Sequence, residues 1–293
     1  MTGLLRAELM RLLSRRVLKA LTILALLGFL VAGVVSFIVT GRNQGSGAAV
    51  AIDGSAYEDC VRSFKGSDLP PEEVEQICAE ATSLEDPRFL YTDMAEIIEG
   101  LAFLFIMLAW LLGSTSIGAE WTHRTITTLL TWDPRRVAVI GAKMVATAIV
   151  TFVWLVILEA LFSLAMLPAA SAHGSMEGAD AAWLADYALS CLRIAGVGVA
   201  ASLFGFSLAT IGRNTAAALG VGFVYLAIVE SLVRGLKPAW TPWLVGDNLA
   251  TIIVGEQAGA IGRSPMESAV VIGSYVLVMM LLAVGMFQRR EIA

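Results

Sequence analysis

GAEWTHRTITTLLTWDPRRVAVIGAK, residues Gly118–Lys143, is a polar interruption between two long apolar runs. It is too short for a domain, rich in Thr, and carries Trp121, Trp132, Arg124, Arg135, Arg136 and Lys143. Upstream lies Ile97–Ile117 and downstream Val137–Leu167, each apolar for at least the roughly 20 residues a helix needs to cross a bilayer core. Leu18–Val39, Tyr187–Ile211, Thr215–Val233 and Ser268–Phe287 are four more such runs. A backbone in lipid must satisfy its own hydrogen bonds, so six transmembrane helices are expected. Composition agrees: the chain is 57% hydrophobic and 15% charged, whereas soluble domains carry about a quarter charged residues.

Basic residues in short loops set orientation. Arg6, Arg11, Arg15, Arg16 and Lys19 precede the first run. Arg124, Arg135 and Arg136 follow the second, Arg213 the fourth, and Arg289 and Arg290 the sixth. All fall on one side of an even-span topology, which predicts cytosolic termini. Residues 41–96 are instead rich in Asp and Glu and are expected outside, so the net charge of −5 carries no message about an acidic partner within the cell. The first run is longer than the 7–15 apolar residues of a signal peptide, and no small-x-small site precedes Arg42. It is expected to remain as a span.

Residues 1–17 read as an amphipathic helix on the cytosolic surface. Leu5, Leu9, Leu12 and Leu13 recur at helical spacing, with Glu8, Arg11, Arg15 and Lys19 opposite. A plain basic flank orienting the first span is the alternative. In the external lobe, 41–96, the opening Gly/Ser-rich stretch has linker composition, and Pro70-Pro71 before three Glu residues reads as a helix start. Cys60 and Cys78 are free to oxidise there; the alternatives are a bridge or two free thiols. Residues 237–267 contain Pro238, Trp240, Pro242, Trp243 and an apolar stretch too short to cross. Either an interfacial or re-entrant helix or a structured external loop fits.

Signs of covalent chemistry are missing. No phosphate-cradling G-x-x-x-x-G-K-[ST] occurs, and His123 and His173, the two histidines, lack metal-ligand spacing. No catalytic residue, metal or resident cofactor is expected, and no nucleic-acid partner. Ionisable residues within apolar runs remain as candidates. Counting about 1.5 Å per residue brings Glu99, Glu159, Arg193, Glu230 and Arg234 to one outer level. They read either as a charged vestibule for a transported molecule or as structural ion pairs. The small residues of the fourth and fifth runs, Gly196 to Gly222, suit close helix packing.

The residues of the interruption carry a resemblance. Gly118, Glu120, Thr125, Leu129, Leu130, Pro134, Arg135, Arg136 and Lys143 follow, in order and spacing, the loop after the second span of type-2 ABC transporter permeases; Arg124 stands where many members have Gly. The overall layout is also similar. The resemblance implies that residues 118–136 form a short cytosolic coupling helix, with Gly118, Glu120, Thr125, Ile126, Leu129, Leu130, Arg135 and Arg136 serving a partner ATPase. From the residues alone, Ile126, Leu129 and Leu130 form an apolar stripe that could equally lie on the membrane. Asp133 and Pro134 suit the start of the next helix.

The expected protein is thus an all-α integral membrane protein: residues 1–17 an interfacial amphipathic helix, residues 18–293 a six-span permease domain. By resemblance it is the membrane subunit of a bacterial ABC exporter in the cell membrane, paired with an identical or related second permease subunit. ATP and Mg would be bound by the ATPase, and this chain would not itself be an enzyme. The other reading is a non-transporting membrane scaffold or sensor partner of an ATPase.

Overall fold

The computed structural model describes residues 2–45, 61–64, 70, 73–74, 78, 89–123, 125–126, 131, 135–255 and 261–289. Helix α1 (Thr2–Leu13) is separated from α2 (Arg16–Gly45) by Ser14 and Arg15. Next come α3 (Met94–Thr122), α4 (Arg136–His173) and α5 (Ala181–Gly212). The fifth apolar run is α6 (Thr215–Val224), a π turn over Tyr225–Val229, and α7 (Glu230–Leu236). A 3₁₀ turn, Pro238–Trp243, leads to α8 (Val245–Val254), and α9 (Pro265–Arg289) ends the described chain.

Each apolar run has become a helix. Arg16–Arg42, Tyr91–Thr122, Arg136–His173, Ala181–Gly212, Thr215–Leu236 and Pro265–Arg289 are all long and apolar enough to cross a membrane. The protein is an all-α, multi-pass membrane fold; among the described residues the β structure is one isolated bridge, Leu90 to Ser175. Helix starts follow local chemistry. Asp180 Oδ1 accepts from Trp183 N at 2.8 Å before α5, and Asn214 accepts from Ala216 N at 2.8 Å before α6. Ser264 and Glu267 exchange reciprocal bonds at the start of α9. Two expectations shift. Helix α2 runs to Gly45, through residues whose composition suggested a linker. Helix α4 starts at Arg136, and Asp133 and Pro134 lie outside the described residues.

The chain divides into two compact units. The first comprises Met1–Leu26, Ala95–Leu161 and Leu184–Ala293. Within it, glycine permits close helix contact. A Cβ at Gly113 on α3 would collide with the carbonyl of Ser202 on α5, and one at Gly118 with Thr215 at the start of α6. The second unit comprises Leu27–Met94 and Phe162–Trp183. Here Phe29 meets Phe162 edge-on at 5.2 Å, and Phe37 meets His173 at 4.5 Å. Tyr91 donates to Ser163 O at 3.3 Å, and Trp183 Nε1 donates to Thr92 O at 3.3 Å. Cys78 is fully buried; its expected partner, Cys60, lies outside the described residues. Cys191 on α5 is a free thiol.

Candidate functional site

Helix α3 does not stop where its apolar run stops. It continues to Thr122 and carries Glu120 into the interior, where the residue is 3% exposed. A carboxylate there needs partners, and two segments distant in sequence provide them. Arg15, between α1 and α2, places Nη2 2.7 Å from Glu120 Oε1 and donates through Nη1 to Thr115 O at 2.9 Å. Lys143, in the second turn of α4 and 3% exposed, reaches Glu120 Oε2 at 2.9 Å and Glu8 Oε2 at 2.8 Å. Arg11 on α1 stands 3.6 Å from Glu120 and 3.7 Å from Glu8. Three cations therefore face two carboxylates. Burial pushes the Arg15 pKa down, and the charge of Glu120 opposes that shift; a guanidinium remains charged at any physiological pH.

This hub corrects the reading of α1. Sequence periodicity predicts a leucine face against lipid or protein and a charged face against water. The charged face instead packs inward: Glu8 is 4% exposed, whereas Met10 and Leu13 are each 57% exposed. Leu12 alone of the leucine set is buried, and Leu5 and Leu9 are half-buried. The physical cause is the hub: Glu8 pairs with Lys143, and Arg11 and Arg15 with Glu120, where a low dielectric strengthens such pairs.

The residues expected to contact an ATPase are divided by the structure. Gly118, Glu120 and Ile126 are buried against this chain's own groups. They offer no surface to a partner and can act only by positioning what surrounds them. Ile126, 1% exposed, belongs to a cluster with Ile117, Ile140, Met144, Phe206, Ala218 and Phe287, so it fastens the loop to five helices. Thr125, Thr131 and Arg135 are exposed. Arg136 donates to Gln288 O at 3.1 Å, joining the start of α4 to the end of α9. Leu129 and Leu130 lie outside the described residues. Trp121 lies edge-on to Phe287 at 6.1 Å, and Arg213 stacks over its ring at 5.1 Å. Basic residues from three inter-helix positions, Arg15, Arg135 and Arg213, thus gather at the end of unit one that holds the loop.

At the other end of α3 the five ionisable residues expected at one level also have separate roles. Glu230 is buried and takes the Gly246 N–H at 2.9 Å, capping α8 from outside because Leu244, at its N-cap position, has no side-chain cap. Arg234 pairs with Asp247 at 2.8 Å. Glu99 accepts from Ser190 at 3.1 Å. Arg193 lies beside Gly255, past the end of α8, and Glu159 is buried within α4. Sequence reading missed Asp247 as a partner, and it missed Glu8 with Lys143. A single acid in a basic segment and a lone Lys just inside a span were the available signals.

A family profile described as a protein of unknown function (DUF2705) matches residues 80–293. The matched stretch contains five of the six candidate spans together with Glu120 and Lys143. No curated protein matches the chain.

Proposed function

The chain belongs to the DUF2705 family, and we propose that it is the membrane-spanning permease subunit of an ATP-binding-cassette exporter, driven by a separate ATPase subunit. The supporting observation is the buried hub at the base of the 118–136 loop. A loop that merely linked two spans would gain nothing from a network of five charges behind it, three of them buried. A loop that receives force needs a stiff attachment. Glu120 and Lys143 lie on the two helices that flank the loop, and Glu8, Arg11 and Arg15 join α1 to both. Displacing the loop therefore moves α3, α4 and α1 as a body.

In this reading the loop and both termini face the cytosol of a bacterial cell. Met10 and Leu13 on α1 rest in the headgroup boundary, as interfacial helices do. Closure of the ATPase dimer on ATP pulls the loop, through Leu129, Leu130 and the exposed Thr125, Thr131 and Arg135. A second permease subunit, identical or related, completes the pathway. The 41–96 lobe lies outside and holds a Cys60–Cys78 bridge, for which burial of Cys78 speaks.

Purification of the chain in mild detergent, co-expressed with an ATP-binding-cassette ATPase of the same genome, tests the proposal. The two proteins should co-purify, and reconstitution in lipid should give ATP hydrolysis that a transported compound stimulates. A stable complex that hydrolyses ATP with no transport of any compound would favour a scaffold or sensor. Failure of any ATPase to co-purify would remove the reading.

A further inference from the structure

A cavity of about 850 Å³ opens in unit one among α3, α5, the fifth apolar run, α8 and α9. Its size falls in the range of roughly 300–1,000 Å³ typical of small-molecule sites. Apolar and aromatic side chains dominate its wall, and Glu99 is the single charged residue among those that line it. Ser190 donates to Glu99 Oε1 at 3.1 Å, and a carboxylate has acceptor positions left after one such bond.

The aromatic wall is held in place. Trp110 lies directly over Gly222, where any Cβ would collide with its ring, and it packs on Phe204 at 5.7 Å. Tyr275 donates its hydroxyl proton to Trp243 O at 3.0 Å, so it presents a ring rather than a free donor. Tyr225 begins the π turn of the fifth run, an interruption of the kind that recurs at functional positions. Each ring offers a negative π face.

We propose that this cavity binds a lipophilic cation, with Glu99 as its counter-ion and Trp110, Phe204 and Tyr225 as its apolar and π-rich wall. A small hydrophilic cation gains nothing from such walls, and a neutral acyl chain makes no use of Glu99. An anion meets the carboxylate with no compensating base. Naming the cation as the exported cargo rests on the permease reading; its binding does not.

Two ions of matched shape and opposite charge provide the test: tetraphenylphosphonium and tetraphenylborate, measured by equilibrium dialysis against the purified full-length chain in a non-ionic detergent, with empty micelles subtracted. Phosphonium should bind saturably, one per cavity, and at least about tenfold more tightly than borate. Glu99→Gln should erase most of that preference while leaving the thermal melting profile in place. Ala201→Trp, which fills the cavity from α5, should abolish saturable binding of both ions. Ser190→Ala, which leaves the carboxylate intact, should retain the preference. Equal binding of the two ions by the wild-type chain, or no saturable binding of either, would overturn the proposal without any variant. So would an undiminished preference in Glu99→Gln. None of these results bears on co-purification with an ATPase, so the permease reading stands or falls separately.

Discussion

The two ends of α3 handle charge in opposite ways. At the Glu120 end, five ionisable groups are joined across three segments, with Glu8, Glu120 and Lys143 all under 5% exposed and Arg11 and Arg15 partly exposed. At the Glu99 end, charges are spent singly: Glu230 caps a helix, Glu99 takes one hydroxyl, and Arg234, half exposed, pairs with Asp247. A buried network is strongly destabilised when one member is lost, because the others remain as uncompensated charges. An exposed pair is screened by water and salt and contributes little. Stiffness is thus concentrated at the loop end, while the α8 end is held by contacts that can be remade at small cost.

The largest expected effect follows directly. Lys143→Met should destabilise the chain by about 3–5 kcal/mol, read as loss of monodisperse protein or a large fall in melting temperature in detergent. The double variant Glu120→Gln/Lys143→Gln removes one charge of each sign and should recover part of that loss. A wild-type melting profile for Lys143→Met would show that the hub is no clamp. Next in size is Gly118→Ala, which forces a methyl group into Thr215; overpacking of this sort costs about 1–3 kcal/mol, again visible in the melting temperature. An unchanged profile there would mean that α3 and α6 separate easily.

Effects at the α8 end should be smaller. Glu230→Gln keeps an oxygen for Gly246 N but removes the charge at the helix N-terminus, for a cost of about 1 kcal/mol. Arg234→Gln should fall within about 0.2–1 kcal/mol and fade further in high salt, followed by melting at two ionic strengths. A loss at Arg234 that matched the one at Lys143 would abolish the distinction between the ends.

How far the sequence reveals this contrast depends on the kind of information each feature needs. The six helices are legible because length and apolar content suffice to place them. The facing of α1 is not. Periodicity groups Glu8 with Arg11 and Arg15 but is silent about what lies opposite, and the partner Lys143 is 135 residues away. Glu120 reads as part of a polar loop, yet α3 continues to Thr122 and takes it inside. For the charges at the Glu99 end, counting residues gives depth but not the direction around the helix. Arg234 therefore finds Asp247 in a segment noted for its Trp and Pro, rather than a partner within another span.

Engagement of an ATPase by the 118–136 loop can be tested by placing a photo-crosslinking amino acid at Thr125 or Thr131, both exposed, and irradiating intact cells. The expected product is a crosslink to a protein that mass spectrometry identifies as an ATP-binding-cassette subunit. The same probe at Leu184, exposed on α5 away from the loop, should give none. Crosslinks from Thr125 and Thr131 to lipid alone would contradict that engagement.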